Sequence, residues 1–194
     1  MIELSIFNWG RYGVPYQSRN PSEALKRRRL LGLLAAAPLL TVVSACGHGE
    51  GGALVGAPLP ELAFADLEGR PWNSRELHGA PVMINVWASW CHPCRAEMAG
   101  LDRLYRSLRS SGLRLIGVSV DEDINLAREF VRQSEISFPI VSDPKGRAMT
   151  PVLGTSAIPA SLLVGRDGRI RRLVLGERVW DQGEARTWVG EILT

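Results

Sequence analysis

From residue 57 onward apolar side chains recur with two alternating periods, and each period predicts an element. Leu62 to Asp66 and Arg70 to Asn73 flank the Glu68-Gly69 turn and predict a small hairpin. Pro81 to Trp87 is a short apolar run, the pattern of a central strand buried on both faces. Between His92 and Ser110 the apolar positions Met98, Leu101, Leu104, Tyr105 and Leu108 fall three and four apart. Arginines and Asp102 lie between them, which predicts an amphipathic helix ending at Ser111-Gly112. Leu113 to Val120 reads as a second buried strand, Ile124 to Gln133 as a second helix, Phe138 to Val141 as a short strand, and Lys145 to Leu153 as a helical turn. Ser161 to Val164 and Ile170 to Leu175 enclose the turn Arg166-Asp167-Gly168-Arg169 as a hairpin, and Asp181 to Leu193 closes the chain as a helix. Strands alternating with helices, then a terminal hairpin and helix, predict an α/β domain with a mixed sheet and helices on both faces.

The pattern before residue 57 is of another kind. Lys26-Arg27-Arg28-Arg29 precedes an apolar run, Leu30 to Val43, broken only by Pro38 and Thr41 and followed by Ser44-Ala45-Cys46-Gly47. A basic start, a short apolar stretch and a small-residue exit make an export signal. A spanning helix needs about 20 apolar residues, more than this run offers. Val43-Ser44-Ala45-Cys46 is similar to the bacterial lipobox, whose cysteine is lipidated and becomes the mature N-terminus; an ordinary signal with an incidental cysteine is the other reading. Arg27-Arg28-Arg29-Leu30-Leu31 also resembles a twin-arginine signal. The expected organisation is a signal segment over 1–46, a flexible glycine-rich linker over 47–56 and one folded domain over 57–194.

This division changes the meaning of the charge. The 194 residues carry 23 basic and 20 acidic side chains and a sequence pI near 9.0, which by itself suggests a nucleic-acid or anionic partner. Residues 1–46 hold six of the basic and two of the acidic groups, leaving 17 and 18 for the rest, a net charge of −1. The basicity belongs to the export signal, and no nucleic-acid partner is expected.

The candidate chemistry lies in Trp87-Ala88-Ser89-Trp90-Cys91-His92-Pro93-Cys94, where a buried strand gives way to a helix. Unpaired N–H groups and the helix dipole at an N-terminus favour an anion, so Cys91 can be a thiolate near neutral pH and attack a disulfide. Cys94, one turn on, is placed to resolve the mixed disulfide intramolecularly. Pro93 suits a first-turn position because its missing N–H would have no partner there. Two cysteines could instead be half of a zinc site, but zinc needs four ligands. The domain offers only His78 and His92 besides, so no metal or resident cofactor is expected.

Trp-Cys-x-x-Cys after an apolar strand, with Ile158-Pro159 ahead of a later strand, resembles the thioredoxin superfamily. More narrowly, residues 57–194 resemble its membrane-tethered TlpA/ResA/CcmG-like branch of extracytoplasmic thiol–disulfide oxidoreductases. Asn85-Val86-Trp87-Ala88-Ser89-Trp90-Cys91, the helical insertion between the central strands and Gly165 to Gly168 in the last hairpin support this. The resemblance implies a thioredoxin-like fold: a central mixed sheet flanked by helices, with a short N-terminal hairpin and a helical insertion.

It also implies that Pro159 is cis and faces the cysteines, with Ile158 offering backbone hydrogen bonds to substrate; otherwise Pro159 simply opens an edge strand. In the same branch an acid at the place of Glu97 takes part in proton transfer to the cysteines; the alternative is a surface glutamate near a helix N-terminus. Cytoplasmic thioredoxin has a buried acid where this chain has Asn85, which throws more weight onto Glu97. His92 is either a cation tuning Cys91 or an exposed spacer. Trp87 is expected to pack, and Trp90 to present an apolar surface to partner proteins.

The expected function is a disulfide reductase in the bacterial periplasm or on the outer face of the cell membrane, lipid-anchored through Cys46. It would take electrons from a membrane thiol carrier and pass them to exported proteins such as apocytochrome c. Two alternatives differ in class. A copper chaperone of this fold uses CxxxC and a late histidine, and no histidine follows His92. A thiol peroxidase needs a threonine three residues before its cysteine, where this chain has Ala88.

Overall fold

Six consecutive buried residues, Val82 to Trp87, form the strand on which the sheet is ordered. The computed structural model describes residues 54–194. The expected export signal, Cys46 and the expected linker as far as residue 53 lie outside the described residues.

In chain order the elements are β1 (Ala63–Asp66), β2 (Pro71–Asn73), β3 (Val82–Trp87), α1 (His92–Leu108), β4 (Arg114–Ser119), α2 (Ile124–Gln133), β5 (Ile140–Ser142), α3 (Met149–Leu153), β6 (Ala160–Val164), β7 (Ile170–Leu175) and α4 (Gly183–Glu191). They build one seven-stranded sheet in the order β2-β1-β5-β4-β3-β6-β7. Strand β3 runs parallel to β4 and antiparallel to β6, and β4 runs parallel to β5. The N-terminal hairpin is part of this sheet, since β1 pairs antiparallel with β5. This is the mixed, thioredoxin-like α/β architecture that the sequence predicts, and β5 shows that the insertion after β4 widens the sheet.

Alternation along β3 sorts the core into two layers. Met83 and Trp87 face α1, α2 and α4, where they meet Met98, Leu101, Leu104, Ala127 and Val189. Val82, Ile84 and Val86 face the thinner layer of Leu77, Met149 and Leu153. Of the apolar positions read from its spacing, helix α1 buries Met98, Leu101 and Leu104 and half-buries Tyr105 and Leu108, and its chain reverses at Gly112, whose φ of 95° is the left-handed conformation glycine favours.

Three of the departures from the expectation have a clear local reason. Strand β5 begins two residues later than Phe138, because Pro139 has no N–H to give and its carbonyl accepts from Gly117 instead. A 3-10 turn at Ser74–Leu77 went unread; Asn73 and Glu76 cap it reciprocally, a signature visible as Asn-x-x-Glu. Helix α4 starts at Gly183 because Trp180 and Asp181 are held by α1: the Trp180 indole donates to Glu97, and Asp181 accepts from Arg103 Nε at 2.6 Å. No helix among the described residues is long and apolar enough to cross a membrane.

Gly117 on β4 stands opposite Asn85 and Ile140. A Cβ there would press on the Ile140 side chain and lie 3.1 Å from both Trp87 Nε1 and the Phe138 ring. Trp87 owes its place behind the β3–α1 junction to that missing side chain. Gly117→Val is expected to lower stability by about 1–3 kcal/mol, as overpacked cores do. The readout is a lower urea midpoint at an unchanged slope; an unchanged midpoint would show that Trp87 does not need the space.

Candidate active site

Helix α1 begins where the β3–α1 loop is tied down. Val120 N–H donates to Trp87 O at 2.9 Å, linking the ends of β3 and β4. Buried Asp121 then accepts from the Ser89 N–H, from Ser89 Oγ at 2.7 Å and from Ser119 Oγ at 2.7 Å. Asp121 was not read from sequence; its one signal is an acid directly after a buried strand, beside the loop that carries the cysteines.

Cys91 is the N-cap of α1, and its sulfur accepts from the Cys94 N–H at 3.3 Å. The backbone donor that would favour a Cys91 thiolate is therefore in place. Cys91 and Cys94 are joined as a disulfide with Cα atoms 5.3 Å apart. Cys94 is fully buried and Cys91 is 5% exposed, whereas Trp90 beside them is 68% exposed. Pro93 is the second helical residue, and exposed His92, the first, lines a shallow groove with Arg95, Ala96 and Phe130. The Ile158–Pro159 peptide bond is cis. Ile158 packs against the cluster that holds both cysteines, and the Pro159 carbonyl accepts from Gly176 N–H at 2.8 Å.

Glu97 is one turn past Cys94 and 3% exposed, so it is not a surface residue. Three donors from distant parts of the chain converge on it. Asn85 Nδ2 donates to Oε1 at 2.7 Å and also to Ser161 Oγ at 3.0 Å. Arg178 N–H and Trp180 Nε1 donate to Oε2 at 3.1 and 3.0 Å. Burial is the largest influence and pushes the carboxyl above the ordinary carboxylate range. The hydrogen bonds from Trp180, Asn85 and Arg178 pull it part of the way back, and the neighbouring charge of Glu177 adds to the rise. Trp180 and Arg178 were not read from sequence. Trp180 is a lone aromatic in a polar stretch, and nothing local tells it from a surface residue. Among the described residues no group of three or more His, Cys, Asp or Glu could hold a metal ion.

Residues 55–173 match the AhpC/TSA family. A thiol-disulfide oxidoreductase ResA from Bacillus thuringiensis (strain Al Hakam) is 32% identical over 130 residues, spanning 67% of this chain and 75% of the relative. The protein of the same name from Geobacillus thermodenitrificans (strain NG80-2) is 28% identical over 150 residues, 77% of this chain and 86% of the relative. Among solved structures, a Chlorobium tepidum protein designated thiol:disulfide interchange protein DsbE is similar with a TM-score of 0.67 at 25% identity, covering 72% of this chain and 98% of that one. StoA from Bacillus subtilis shares the fold, with a TM-score of 0.56 at 22% identity over 70% of this chain and 97% of that one.

The raised Glu97 group makes stability depend on pH with a definite sign. A carboxyl whose folded value lies above its unfolded one binds more protons in the folded state. Its contribution is complete below the ordinary value of 4.5 and is lost as pH rises through the folded value. The oxidised protein is therefore expected to lose stability across that window relative to Glu97→Gln, measured by denaturant unfolding at a series of pH values. Parallel curves for the two proteins would count against a raised carboxyl.

Proposed function

This chain belongs to the AhpC/TSA family of thioredoxin-fold proteins and is a thiol–disulfide oxidoreductase of the ResA/DsbE kind, and from that premise we propose that Cys91 and Cys94 are its redox pair, working as a reductase of exported proteins outside the cytoplasm. The observation that carries the reading is the Cys91–Cys94 disulfide at the N-terminus of α1, with a Cys94 N–H already directed at the Cys91 sulfur. In the reduced protein the Cys91 thiolate attacks one sulfur of a substrate disulfide; the S–S bond breaks and one substrate thiolate leaves. Cys94, deprotonated, attacks Cys91 Sγ, closes the Cys91–Cys94 disulfide and releases the second substrate thiolate. Two electrons pass from the pair to the substrate. Glu97, one turn below Cys94, takes the Cys94 proton, a role that a carboxyl raised toward neutrality can fill. A thiol carrier in the membrane returns the electrons.

Exposed Trp90 and Pro93 and half-buried Ile158 supply the docking rim, next to buried Pro159, and Ile158 offers its backbone to an extended substrate segment. His92, exposed at the first position of α1, adds at most a local tuning of Cys91. The export segment and Cys46 support a lipid-anchored protein on the outer face of the membrane, and apocytochrome c is the substrate that the ResA resemblance suggests. Peroxide chemistry is disfavoured by buried Ala88, which has no hydroxyl to orient a peroxide.

Cys91→Ser is expected to abolish reduction of insulin disulfides, whereas Cys94→Ser keeps the attacking thiol and accumulates mixed disulfides with its targets on non-reducing gels. Residual turnover in Cys91→Ser would remove Cys91 from the nucleophile's role. Acid-trapping of the pair in intact cells is expected to find it mostly reduced; a mostly oxidised pair reverses the direction of electron flow. Glu97→Gln is expected to flatten the pH dependence of thiol alkylation, and an unchanged titration removes Glu97 from the proton step.

A further inference from the structure

We propose that Trp180 is a positioning residue of the thiol–disulfide chemistry: its indole N–H holds Glu97 Oε2 as a permanent acceptor, so that the proton Glu97 exchanges is carried on Oε1, beside Asn85. The inference deepens the reading of Glu97 as the proton partner and rests on it.

The two oxygens of Glu97 have unlike partners. Both groups on Oε2, the Trp180 indole N–H and the Arg178 backbone N–H, can only donate. A proton placed on Oε2 would face two donors and displace at least one. Where the indole is the donor displaced, its fully buried N–H is left without a partner, at a cost comparable to a lost hydrogen bond. The partner of Oε1 is different. The Asn85 carboxamide donates through Nδ2, but a half-turn about its last bond presents Oδ1 instead. That Oδ1 is buried and has no hydrogen-bond partner among the described residues. Ser161 Oγ, which now accepts from Asn85, is a hydroxyl and can equally donate. One reversal of the Asn85 amide thus gives a protonated Oε1 and Ser161 an acceptor together while Oε2 keeps both its donors, and it turns Nδ2 to the side where Oδ1 now stands without a partner.

The surroundings leave this role to the indole. On α1 the titratable groups near Glu97 are Cys91 and Cys94, one to two turns before it. β3 and β6 present only neutral Asn85 and Ser161. From the loop after β7 come Glu177, whose charge opposes the carboxylate, and Arg178, whose side chain donates to the Glu177 carbonyl. Asp181, the next residue after Trp180, is paired with Arg103. No cation among the described residues forms an ion pair with Glu97, so the carboxylate form depends on these donors.

The test compares full-length wild type, Trp180→Phe, Glu97→Gln and the double variant by the pH profile of thiol alkylation. Trp180→Phe removes one donor to the charged form and is expected to move the Glu97-dependent midpoint up by about one pH unit, a tenfold change in acid dissociation. In the Glu97→Gln background the same substitution is expected to shift nothing. An unmoved midpoint, or an equal shift in both backgrounds, overturns the positioning role and leaves only packing. Glu97→Gln alone tests the underlying proton step, so the two failures are distinct. A second measurement does not depend on folding of the variant: the Trp180 Nε1–H resonance in wild type is expected to titrate with the alkylation midpoint and to stop doing so in Glu97→Gln. A resonance that is flat with pH in the wild type overturns the proposal.

Discussion

A carboxyl group with no cationic partner, buried beneath the helix that carries the cysteines, is the constraint around which the domain is arranged. An isolated ion taken out of water costs several kcal/mol even after relaxation, while a hydrogen bond to a charged group returns about 1.5–3 kcal/mol. Three such bonds therefore come close to supporting the charge without making it secure. The direction of the Glu97 shift says which effect wins: burial outweighs the donors, and the proton is held more tightly than on an exposed carboxyl. A group balanced in this way can change protonation at modest cost. A fully compensated carboxylate, or one with an arginine against it, could not.

The donors come from a strand and a loop that meet only because the sheet is complete. Asn85 is on β3, in the interior of the sheet; Arg178 and Trp180 follow β7, at its edge. The Pro159 carbonyl bonded to Gly176 fixes where β7 ends, and so where the loop begins. On the other side of the cysteines Asp121 does a similar job with short hydrogen bonds, tying Ser89 to Ser119. The start of α1 is thus braced from both directions, and the side chains left in the open there are Trp90, His92 and Pro93.

Much of this was legible in the sequence, and the division follows the range of the interactions. The buried run of β3 and the three-and-four spacing of α1 are written within a few neighbouring residues, as are the two cysteines with Pro93 between them; the Asn-x-x-Glu cap is equally local and went unread. Asn85 was read as a place where a familiar acid is missing, and Glu97 as the residue that inherits its weight. The structure shows the two side chains hydrogen-bonded to one another. What stayed hidden was long-range. Trp180 is 83 residues from Glu97 and Asp121 is 32 from Ser89, and no periodicity encodes such pairs. The docking of the first hairpin against β5 was hidden likewise, because an antiparallel edge pairing leaves no mark on either partner's alternation.

The pairing of residues 56–59 with the turn before β7 carries one more consequence. Gly56 N–H donates to Ile170 O and Ile170 N–H to Ala57 O, at the end of the sheet where β3 begins and β6 finishes. The cysteines follow the other end of β3, six residues and roughly 20 Å of strand away. A pull applied to the polypeptide ahead of Leu54 is therefore delivered at the foot of the domain, through backbone bonds to a hairpin, and bypasses the loops that hold Cys91. The reactive tip and the place where the chain enters the domain thus lie at opposite ends of β3, and a load on one leaves the geometry of the other undisturbed.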